Sequence, residues 1–325
     1  MKVSIVIPVY GVERRVERCI RSVLEQTHEL MEVIVVNDCT PDGSMRVIEK
    51  VMEDYPARKP QVRLIDMPRN SGSAAARKCG MELATGDYVI HVDGDDYVDA
   101  DFISKMASCA CKTQSDVVMC DIVKHDANGT THVMRNKTCA SAHEYMASVI
   151  DGSLHGSLCN KLIKRSLYAE HTIFPTEGMN MFDDKSVVFR VLYYAQKVTP
   201  IADALYHYDC TQESSQTKGD KRLELEACKK LLNLMDDFFE SHTIDASAQQ
   251  ALLRYKAIVQ GLYLLYGAEG DMQGLKTPIP KIPLRLLVHN ERMPATYAWA
   301  VIVHQLGLPT RWFSHSYRWL RKKIK

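Results

Sequence analysis

The feature that most constrains the fold is an alternation, over the first 125 residues, between short apolar runs and segments with helical periodicity. The apolar runs are Val3–Val9, Val33–Val36, Val62–Ile65, Tyr88–Val92 and Val117–Cys120, and the helical segments between them are Val16–Leu24, Met45–Met52, Ala74–Leu83 and Phe102–Cys111. Strands that are continuously apolar and separated by helices predict a parallel sheet covered on both faces. In such sheets, ligands bind beyond the carboxyl ends of the strands.

The remainder of the chain predicts a change of architecture. The turn Asp126–Gly129 favours a hairpin, and residues 141–210 continue a mixed α/β pattern. From Lys221 onward the apolar spacing is helical, until Pro278, Pro280 and Pro283 interrupt it. We therefore predict an α/β domain over residues 1–215, with halves 1–125 and 126–215, and a helical region over residues 216–325.

Composition excludes several classes of protein. A net charge of +1 gives no reason to expect a nucleic-acid partner, and a hydrophobic content of 46% is typical of a globular chain. No run approaches the roughly 18 apolar residues of a membrane-spanning helix. The ten cysteines include no C-x-x-C pair, which favours reduced thiols, and the segment Met1–Tyr10 favours a first strand over an export signal. We therefore expect a cytoplasmic protein.

The carboxyl-terminal end is basic and aromatic. From Lys276 to Lys325 there are ten Lys or Arg and a single acid, and Trp299, Trp312 and Trp319 all fall in the last 27 residues. Aromatic rings favour the lipid headgroup boundary, and Lys and Arg are attracted to anionic lipid. One hypothesis is that residues 311–325 dock on the anionic inner face of the cytoplasmic membrane. The alternative is that the aromatics pack on the domain and the basic tail is merely solvated.

Three polar clusters fall where the predicted strands end. The segment His91–Asp96 holds Asp93, Asp95 and Asp96, whose carboxylates repel one another unless a cation or a donor neutralises them. Hard cations such as Mg²⁺ are held by one or two carboxylates together with substrate phosphates. The glycine within the cluster, Gly94, would let the backbone approach a ligand closely. The alternative interpretation is an acidic turn that caps the next helix.

The other two clusters also admit two interpretations each. In Asn37–Ser44, Asp38 follows a strand and could bond a base or a ribose, or could belong to an Asp/Pro/Gly turn. In Pro68–Arg77, a loop opens into an Ala-rich helix. The free N–H groups at that helix start and the charge of Arg77 favour an anion, whereas the alanines alone favour close helix packing.

Together these segments resemble the nucleotide-binding half of glycosyltransferase family 2, which has the GT-A fold. The resemblance begins at Ile5–Tyr10, continues through Ser22–Thr27 and includes the three clusters in order, so that it covers residues 1–125. It implies a Rossmann-like, mostly parallel sheet with helices on both faces, followed here by a C-terminal helical extension. The implied donor-binding residues are Pro8, Val9 and Tyr10 around the base, Asp38 on the base, Asp93 on the ribose side, and Arg77 and Gly94. Asp95 would bind the Mn²⁺ or Mg²⁺ that bridges the diphosphate.

The second half of the chain resembles the family more weakly. Cys159–Leu162 is similar to its W-N-K-L stretch, Phe182–Asp184 to its E-D segment and Leu205–Tyr208 to its L-Y-H-Y ending. The resemblance implies that Asp184 is the general base, that Asn160, Lys161 and Asp183 lie on the acceptor side, and that His207 is a second candidate metal ligand. The chain departs from the common family residues at Gly11, Asn37, Cys39, Lys78, Cys159 and Asp183, where Asn, Asp, Gly, Asn, Trp and Glu are usual.

The resemblance therefore implies a metal-dependent, inverting transferase of the hexosyltransferase type that uses a nucleotide-sugar, with UDP expected on family frequency. The acceptor would be a saccharide or a lipid-linked saccharide of bacterial surface polysaccharide synthesis. A sugar-nucleotide pyrophosphorylase is the first alternative, but it would carry a Gly-rich basic loop where this chain has Tyr10–Glu13. A non-catalytic nucleotide-sugar-binding module is the second alternative, and the intact Asp38, Asp93, Asp95 and Asp184 argue against it.

Overall fold

The computed structural model of the chain describes residues 1–179, 181–211, 220–267, 272–288 and 293–307. Two compact units account for the chain, Met1–Ala142 with Ser157–Ser215, and His143–Gly156 with Gln216–Lys325. The segment 311–325, on which the membrane hypothesis depends, lies outside the described residues.

Nine strands and eleven helices are present in the described ranges. The strands are β1 (Val3–Val9), β2 (Met31–Asn37), β3 (Val62–Asp66), β4 (Tyr88–His91), β5 (Tyr97–Val98), β6 (Val117–Asp126), β7 (Thr131–Met134), β8 (Lys161–Lys164) and β9 (Val198–Cys210). The helices are α1 (Val16–Leu24), α2 (Ser44–Glu53), α3 (Ser73–Leu83), α4 (Phe102–Thr113), α5 (Ala142–Ile150), α6 (Arg165–His171), α7 (Asp183–Tyr194), α8 (Lys221–Glu240), α9 (Ala246–Tyr266), α10 (Leu284–Val288) and α11 (Ala295–Gln305). A 3₁₀ turn at Lys59–Gln61 precedes β3.

The first unit is one sheet in the order β3-β2-β1-β4-β8-β6-β9-β5, with β7 paired to β6. Strands β1 to β4 are parallel, as the alternating apolar runs predict. Apolar side chains of α1, α2 and α4 cover one face in a single core, while α3 packs against β1 and β2 on the other. The approach of α3 to β1 is close, because a Cβ at Gly80 would lie 2.4 Å from Val6 Cγ1. The predicted α/β layering with helices on both faces is confirmed.

The other half of the sheet mixes directions. Strand β8 is antiparallel to both β4 and β6, and β9 runs parallel to β6 but antiparallel to β5. The turn Asp126–Gly129 joins β6 to β7 in the predicted hairpin. Strands β5, β8 and β9 were not predicted individually, because they are short or irregular and owe their extended form to the neighbours that they pair with.

The second unit is helical, with α8, α9 and α11 as its main elements. Its interior holds a buried ion pair, in which Lys256 Nζ lies 2.9 Å from Asp236 Oδ1 and donates to Thr277 Oγ1 at the same distance. Trp299 on α11 is 60% exposed. Among the helices of the described ranges, none combines the length and apolar character required to cross a membrane.

Candidate active site

The carboxyl edge of the parallel strands gathers the residues that follow β1, β2 and β4. Val9 is fully buried in the core, and its carbonyl accepts a hydrogen bond of 3.0 Å from Asp38 N. No part of Val9 is exposed, so it lies beneath the surface of this edge. Tyr10 is 49% exposed at the same edge, where its ring is free to lie against a planar ligand.

Asp38 ties the end of β2 to the start of α3. Its carboxylate is 3% exposed and accepts hydrogen bonds from Ser71 N at 2.7 Å and from Gly72 N at 2.8 Å. The next residue, Cys39, has a φ of 56°, a left-handed conformation that glycine adopts more easily. The glycine that the resemblance leads one to expect at this position would adopt the same conformation without a Cβ. Any bond from Asp38 to a base must use the lone pairs that remain on its oxygens.

The acidic turn after β4 places its three carboxylates in different environments. Asp96 is buried and accepts from Tyr206 Oη at 2.6 Å and from Asp209 N at 2.9 Å, so it holds β9 against the turn. Gly94 is pressed against β1, since a Cβ there would lie 3.1 Å from Pro8 O. Asp95 faces outward with 43% of its side chain exposed. Of the three acids, Asp95 is the one most accessible to a ligand.

Arg77 of α3 lies at the centre of three carboxylates. Its Nη2 donates to Asp93 Oδ1 and its Nη1 to Asp183 Oδ2, both at 2.5 Å. Nη1 also lies 3.4 Å from Asp184 Oδ1. The guanidinium is nearly buried, with 9% of the side chain exposed, so it joins the turn after β4 to the start of α7 through desolvated charge pairs.

Asp183 and Asp184 begin α7 in contrasting environments. Asp183 also accepts from Ser73 Oγ at 3.2 Å. Asp184 accepts one hydrogen bond, from Leu158 N to its Oδ2 at 3.2 Å, and its Oδ1 accepts none from the described residues. Burial raises the pKa of Asp184 to about 7, an effect that Arg77 opposes and the carboxylates of Asp183 and Asp93 reinforce. A carboxylate with such a pKa, and with one oxygen that accepts no hydrogen bond from the described residues, can accept a proton near neutral pH.

The backbone before α7 is strained. Phe182 has a φ of 64°, which is rare for a bulky side chain and costs about 1–3 kcal/mol. The left-handed residue turns the chain so that both acids enter the first helical turn, where the helix dipole favours negative charge. The dipole alone would account for acids here, but not for an Asp184 Oδ1 that accepts no hydrogen bond from the described residues.

The acceptor-side candidates Asn160 and Lys161 lie below the surface. Both are buried, at 1% and 0% exposure. Asn160 Nδ2 donates to Cys120 O at 2.7 Å, and Lys161 Nζ donates to Asn160 Oδ1 at 2.8 Å. Neither side chain presents a polar group to the open cleft, so their positions favour a supporting role over direct contact with an acceptor.

His207 belongs to a hydrogen-bonded aromatic cluster. Its Nε2 lies 2.9 Å from Asp99 Oδ1 and its Nδ1 lies 3.0 Å from His125 Nε2. The ring stacks on Tyr97 at 4.3 Å, and Arg18 covers the far side of that cluster, 4.0 Å from the Tyr97 centroid. Because both nitrogens already have partners, His207 would have to release His125 or Asp99 to bind a metal.

The fit of the implied Mn²⁺ or Mg²⁺ depends on Asp95. Within the described residues, no three His, Cys, Asp or Glu side chains converge to hold a metal by themselves. Partial burial and the charge of Asp93 raise the pKa of Asp95, and Arg15 Nη1 lies 3.6 Å from its Oδ2. An exposed carboxylate with excess negative charge beside it fits a hard cation, provided that substrate phosphates supply further ligands.

Several residues of this cleft are not singled out by the sequence. Arg15 Nη1 donates to Asp209 O at 3.1 Å, Arg18 pairs with the Asp209 carboxylate, and Tyr206 Oη accepts from Asp93 N at 3.1 Å. The sequence carries only a weak indication that these residues belong to the site. Arg15 and Arg18 stand at the start of the helix that follows β1, so their charges fall at the edge where ligands bind.

Comparisons with known proteins agree with this architecture. The family model described as Glycosyl transferase family 2 matches residues 4–187, more than half of the chain. The chain is 29% identical over 213 residues to the poly(ribitol-phosphate) beta-glucosyltransferase of Bacillus spizizenii, covering 64% of this chain and 32% of that protein. It spans less than two thirds of the length of several such curated relatives.

Solved structures share the fold at low identity. S. aureus TarS 1-349 in complex with UDP-GlcNAc has a TM-score of 0.68 at 17% identity, covering 95% of this chain and 93% of that one. The mannosyltransferase PcManGT of Pyrobaculum calidifontis, with GDP-Man and Mn²⁺, has a TM-score of 0.57 at 15% identity, covering 98% and 80%. These likenesses confirm the predicted GT-A fold.

Proposed function

The chain belongs to glycosyltransferase family 2, and on that basis we propose that it moves a sugar from a UDP-sugar to a hydroxyl acceptor with inversion at the anomeric carbon. The observation that carries this proposal is Asp184, whose Oδ1 accepts no hydrogen bond among the described residues. Its raised pKa and its link through Arg77 to the turn that follows β4 suit a base placed beside a bound donor.

In the proposed reaction, Asp184 removes the proton from the acceptor hydroxyl as that oxygen attacks the anomeric carbon. General base catalysis of this kind contributes roughly 10²–10⁴-fold. The neighbouring Asp183 is held by Arg77 and Ser73, which leaves it poorly placed to act as a nucleophile. One base without a second nucleophilic carboxylate gives a single displacement, and therefore inversion.

The donor would occupy the edge formed by the backbone at Pro8 and Val9, the ring of Tyr10, and the Asp38 loop. Arg77 would orient Asp93 toward the ribose, because the 2.5 Å contact fixes one carboxylate oxygen and leaves the other free to accept. The UDP-GlcNAc complex of the TarS neighbour supports a UDP donor.

Asp95 would hold a divalent cation together with phosphate oxygens of the donor, and the Mn²⁺ in the PcManGT structure supports this. When bound, that cation would supply Lewis-acid neutralisation of the leaving diphosphate. Arg15, 3.6 Å from Asp95, would add charge on the same side of the cleft.

For the acceptor we propose a hydroxyl of a bacterial surface polymer or of a lipid-linked saccharide. The poly(ribitol-phosphate) beta-glucosyltransferase relative supports the polymer class. We further propose that residues 1–215 form the transferase domain, that residues 216–325 are its helical extension, and that the protein works at the inner face of the cytoplasmic membrane.

A donor panel tests the proposal. Purified protein is incubated with UDP-, GDP- and dTDP-sugars and Mn²⁺, and release of the nucleoside diphosphate is followed. We expect slow hydrolysis of one UDP-sugar by the parent protein and loss of that hydrolysis in Asp184→Asn. Exchange that depends on pyrophosphate would instead indicate a pyrophosphorylase, and binding without turnover would indicate a binding module.

A further inference from the structure

Lys161 carries a buried ammonium group that the proposed mechanism leaves unused. The residue begins β8 and is 0% exposed. Burial lowers the pKa of Lys161 to about 8, so the amine is still mostly protonated at neutral pH. A buried charge is unfavourable unless hydrogen bonds or an opposite charge compensate for it. We therefore looked for the groups that compensate the charge of Lys161.

The contacts of Lys161 lead directly to the proposed base. Lys161 Nζ donates to Ser157 O at 2.7 Å. That oxygen belongs to the same peptide group as Leu158 N, which donates to Asp184 Oδ2 at 3.2 Å. One rigid peptide plane thus lies between the ammonium and the carboxylate, with its carbonyl toward the cation and its N–H toward the anion.

We propose that Lys161 is a positioning residue for Asp184, acting through the Ser157–Leu158 peptide, which the ammonium orients and polarises so that its N–H holds the carboxylate. This inference rests on the proposed role of Asp184 as base. Hydrogen bonds in a chain polarise one another, and a charged donor strengthens the set. With Oδ2 held by the peptide, Oδ1 is left with the 3.4 Å contact to Arg77 Nη1 and accepts no hydrogen bond from the described residues.

Asn160 makes further hydrogen bonds that hold the turn containing this peptide. Ser157 Oγ and Lys161 Nζ both approach Asn160 Oδ1, at 3.1 and 2.8 Å, while Asn160 Nδ2 is bound to Cys120 O on β6. The whole turn is buried, so water does not compete for these groups. Lys161 and Asn160 are therefore linked to Asp184 through the Ser157–Leu158 peptide and the turn around it.

Other charges around the two groups stay constant when Lys161 alone is changed. Asp184 faces Arg77, Asp183 and Asp93, with the buried Tyr168 and Cys159 nearby. Lys161 faces Asp184, Cys159 and Cys120. A shift in the pKa of Asp184 on removing the ammonium can therefore be assigned to Lys161, whose charge acts through the peptide and also directly.

The test measures the pKa of Asp184 in the parent protein, in the variants Lys161→Met and Lys161→Arg, and in the control variant Lys164→Met. Lys164 ends the same strand, is exposed and pairs with Asp116, so its loss removes one charge without touching the relay. Two readouts are used. One is the acid limb of the kcat/KM profile for UDP-GlcNAc hydrolysis with Mn²⁺. The other is the infrared carboxyl band that disappears in Asp184→Asn, titrated without turnover.

We expect Lys161→Met to raise the pKa of Asp184 by about 0.5–1 unit, because the carboxylate loses a polarised donor. UDP affinity should stay within about twofold, since donor contacts are unchanged. Lys161→Arg should restore most of the parental value and Lys164→Met should match the parent. If Lys161→Met does not fold, Lys161→Gln, which keeps an amide donor but no charge, is measured instead.

An unchanged carboxyl titration in folded Lys161→Met or Lys161→Gln would overturn the inference, even if turnover falls. Failure of the proposed function gives a different pattern. In that case Asp184→Asn would keep parental turnover, while the infrared titration could still report the effect of Lys161 on the carboxylate.

Discussion

Asp183 and Asp184 are adjacent in the sequence, yet their surroundings give them different chemistry. Asp183 accepts from both Arg77 and Ser73, whereas Asp184 accepts only a single hydrogen bond, from Leu158 N, among the described residues. Desolvation without full compensation raises the pKa of a carboxyl group. At the scale of single residues, the proposed base thus differs from its neighbour in making one hydrogen bond and a longer, 3.4 Å contact with Arg77.

Asp184→Asn should reduce turnover by about 10²-fold or more, because the amide cannot take the acceptor proton. Donor binding should change only a few-fold, which a separate titration with UDP would measure. Asp183→Asn provides the comparison. If Asp183→Asn loses most of its turnover and Asp184→Asn keeps most of it, the base is Asp183. Equal losses in UDP binding and rate would indicate a structural role.

The pH dependence of kcat/KM should follow the ionisation of Asp184. The base is active when deprotonated, and its pKa is raised to about 7, so activity should increase with pH through neutrality and then level off. The value at pH 6 should be roughly tenfold below that at pH 8. A profile that is already flat between pH 5 and pH 8 would assign the proton transfer to another group.

Asp95→Ala should abolish the extra thermal stability that UDP confers in the presence of Mn²⁺, because the exposed carboxylate is the proposed protein ligand of the cation. The measurement is a thermal shift with UDP, with Mn²⁺ and with both. Asp101→Ala is a suitable control, since its carboxylate faces Lys105 on α4. Retention of the combined shift in Asp95→Ala would contradict the assignment.

At the scale of elements, the site depends on how loops are attached to the sheet. The carboxylate of Asp38 joins the end of β2 to the N-terminus of α3, while Arg77 connects α3 to the β4 turn and to α7. These links are between 2.5 and 2.8 Å long, and the Asp38 and Arg77 side chains that make them are buried. Helix α3 therefore contacts the end of β2, the turn after β4 and the start of α7.

Asp38→Asn should destabilise the fold by about 1–3 kcal/mol, because an amide NH₂ cannot accept from a buried backbone N–H. UDP affinity should fall as a consequence of the loosened loop. Chemical denaturation and calorimetry measure the two effects. Asp66→Asn is the matched control, since Asp66 ends the next strand and is exposed, with Asn37 as its partner. Full stability with lost UDP binding would favour direct base recognition by Asp38.

At the scale of the whole molecule, charge is distributed unevenly along the chain. The segment from Lys276 to Lys325 is basic and the preceding 275 residues are net acidic. A basic aromatic end is suited to an anionic lipid surface, where a lipid-linked acceptor would be confined. Trp299, 60% exposed on α11, is the one tryptophan of the three within the described ranges.

Deletion of residues 311–325 should abolish binding to vesicles that contain anionic lipid, because it removes Trp312, Trp319 and six basic side chains. Flotation with phosphatidylglycerol vesicles measures this, and added salt should weaken binding by the intact chain. Neutral phosphatidylcholine vesicles provide the control. Equal flotation of the truncated chain, or none by the intact one, would favour packing or solvation of the tail.

The sequence by itself determined the parallel strands, the helices between them, and the three polar clusters at their ends, because apolar periodicity and turn chemistry are local properties. It could not predict β8 and β9, whose extended form depends on distant partners. Nor could it show that Arg77 pairs with both Asp93 and Asp183, the second of which is 106 residues away. Only the tertiary structure decided which partners each carboxylate has, and that the Lys161 ammonium binds the peptide that donates to Asp184. Desolvation and hydrogen bonding are set by neighbours in space, and sequence spacing does not record them.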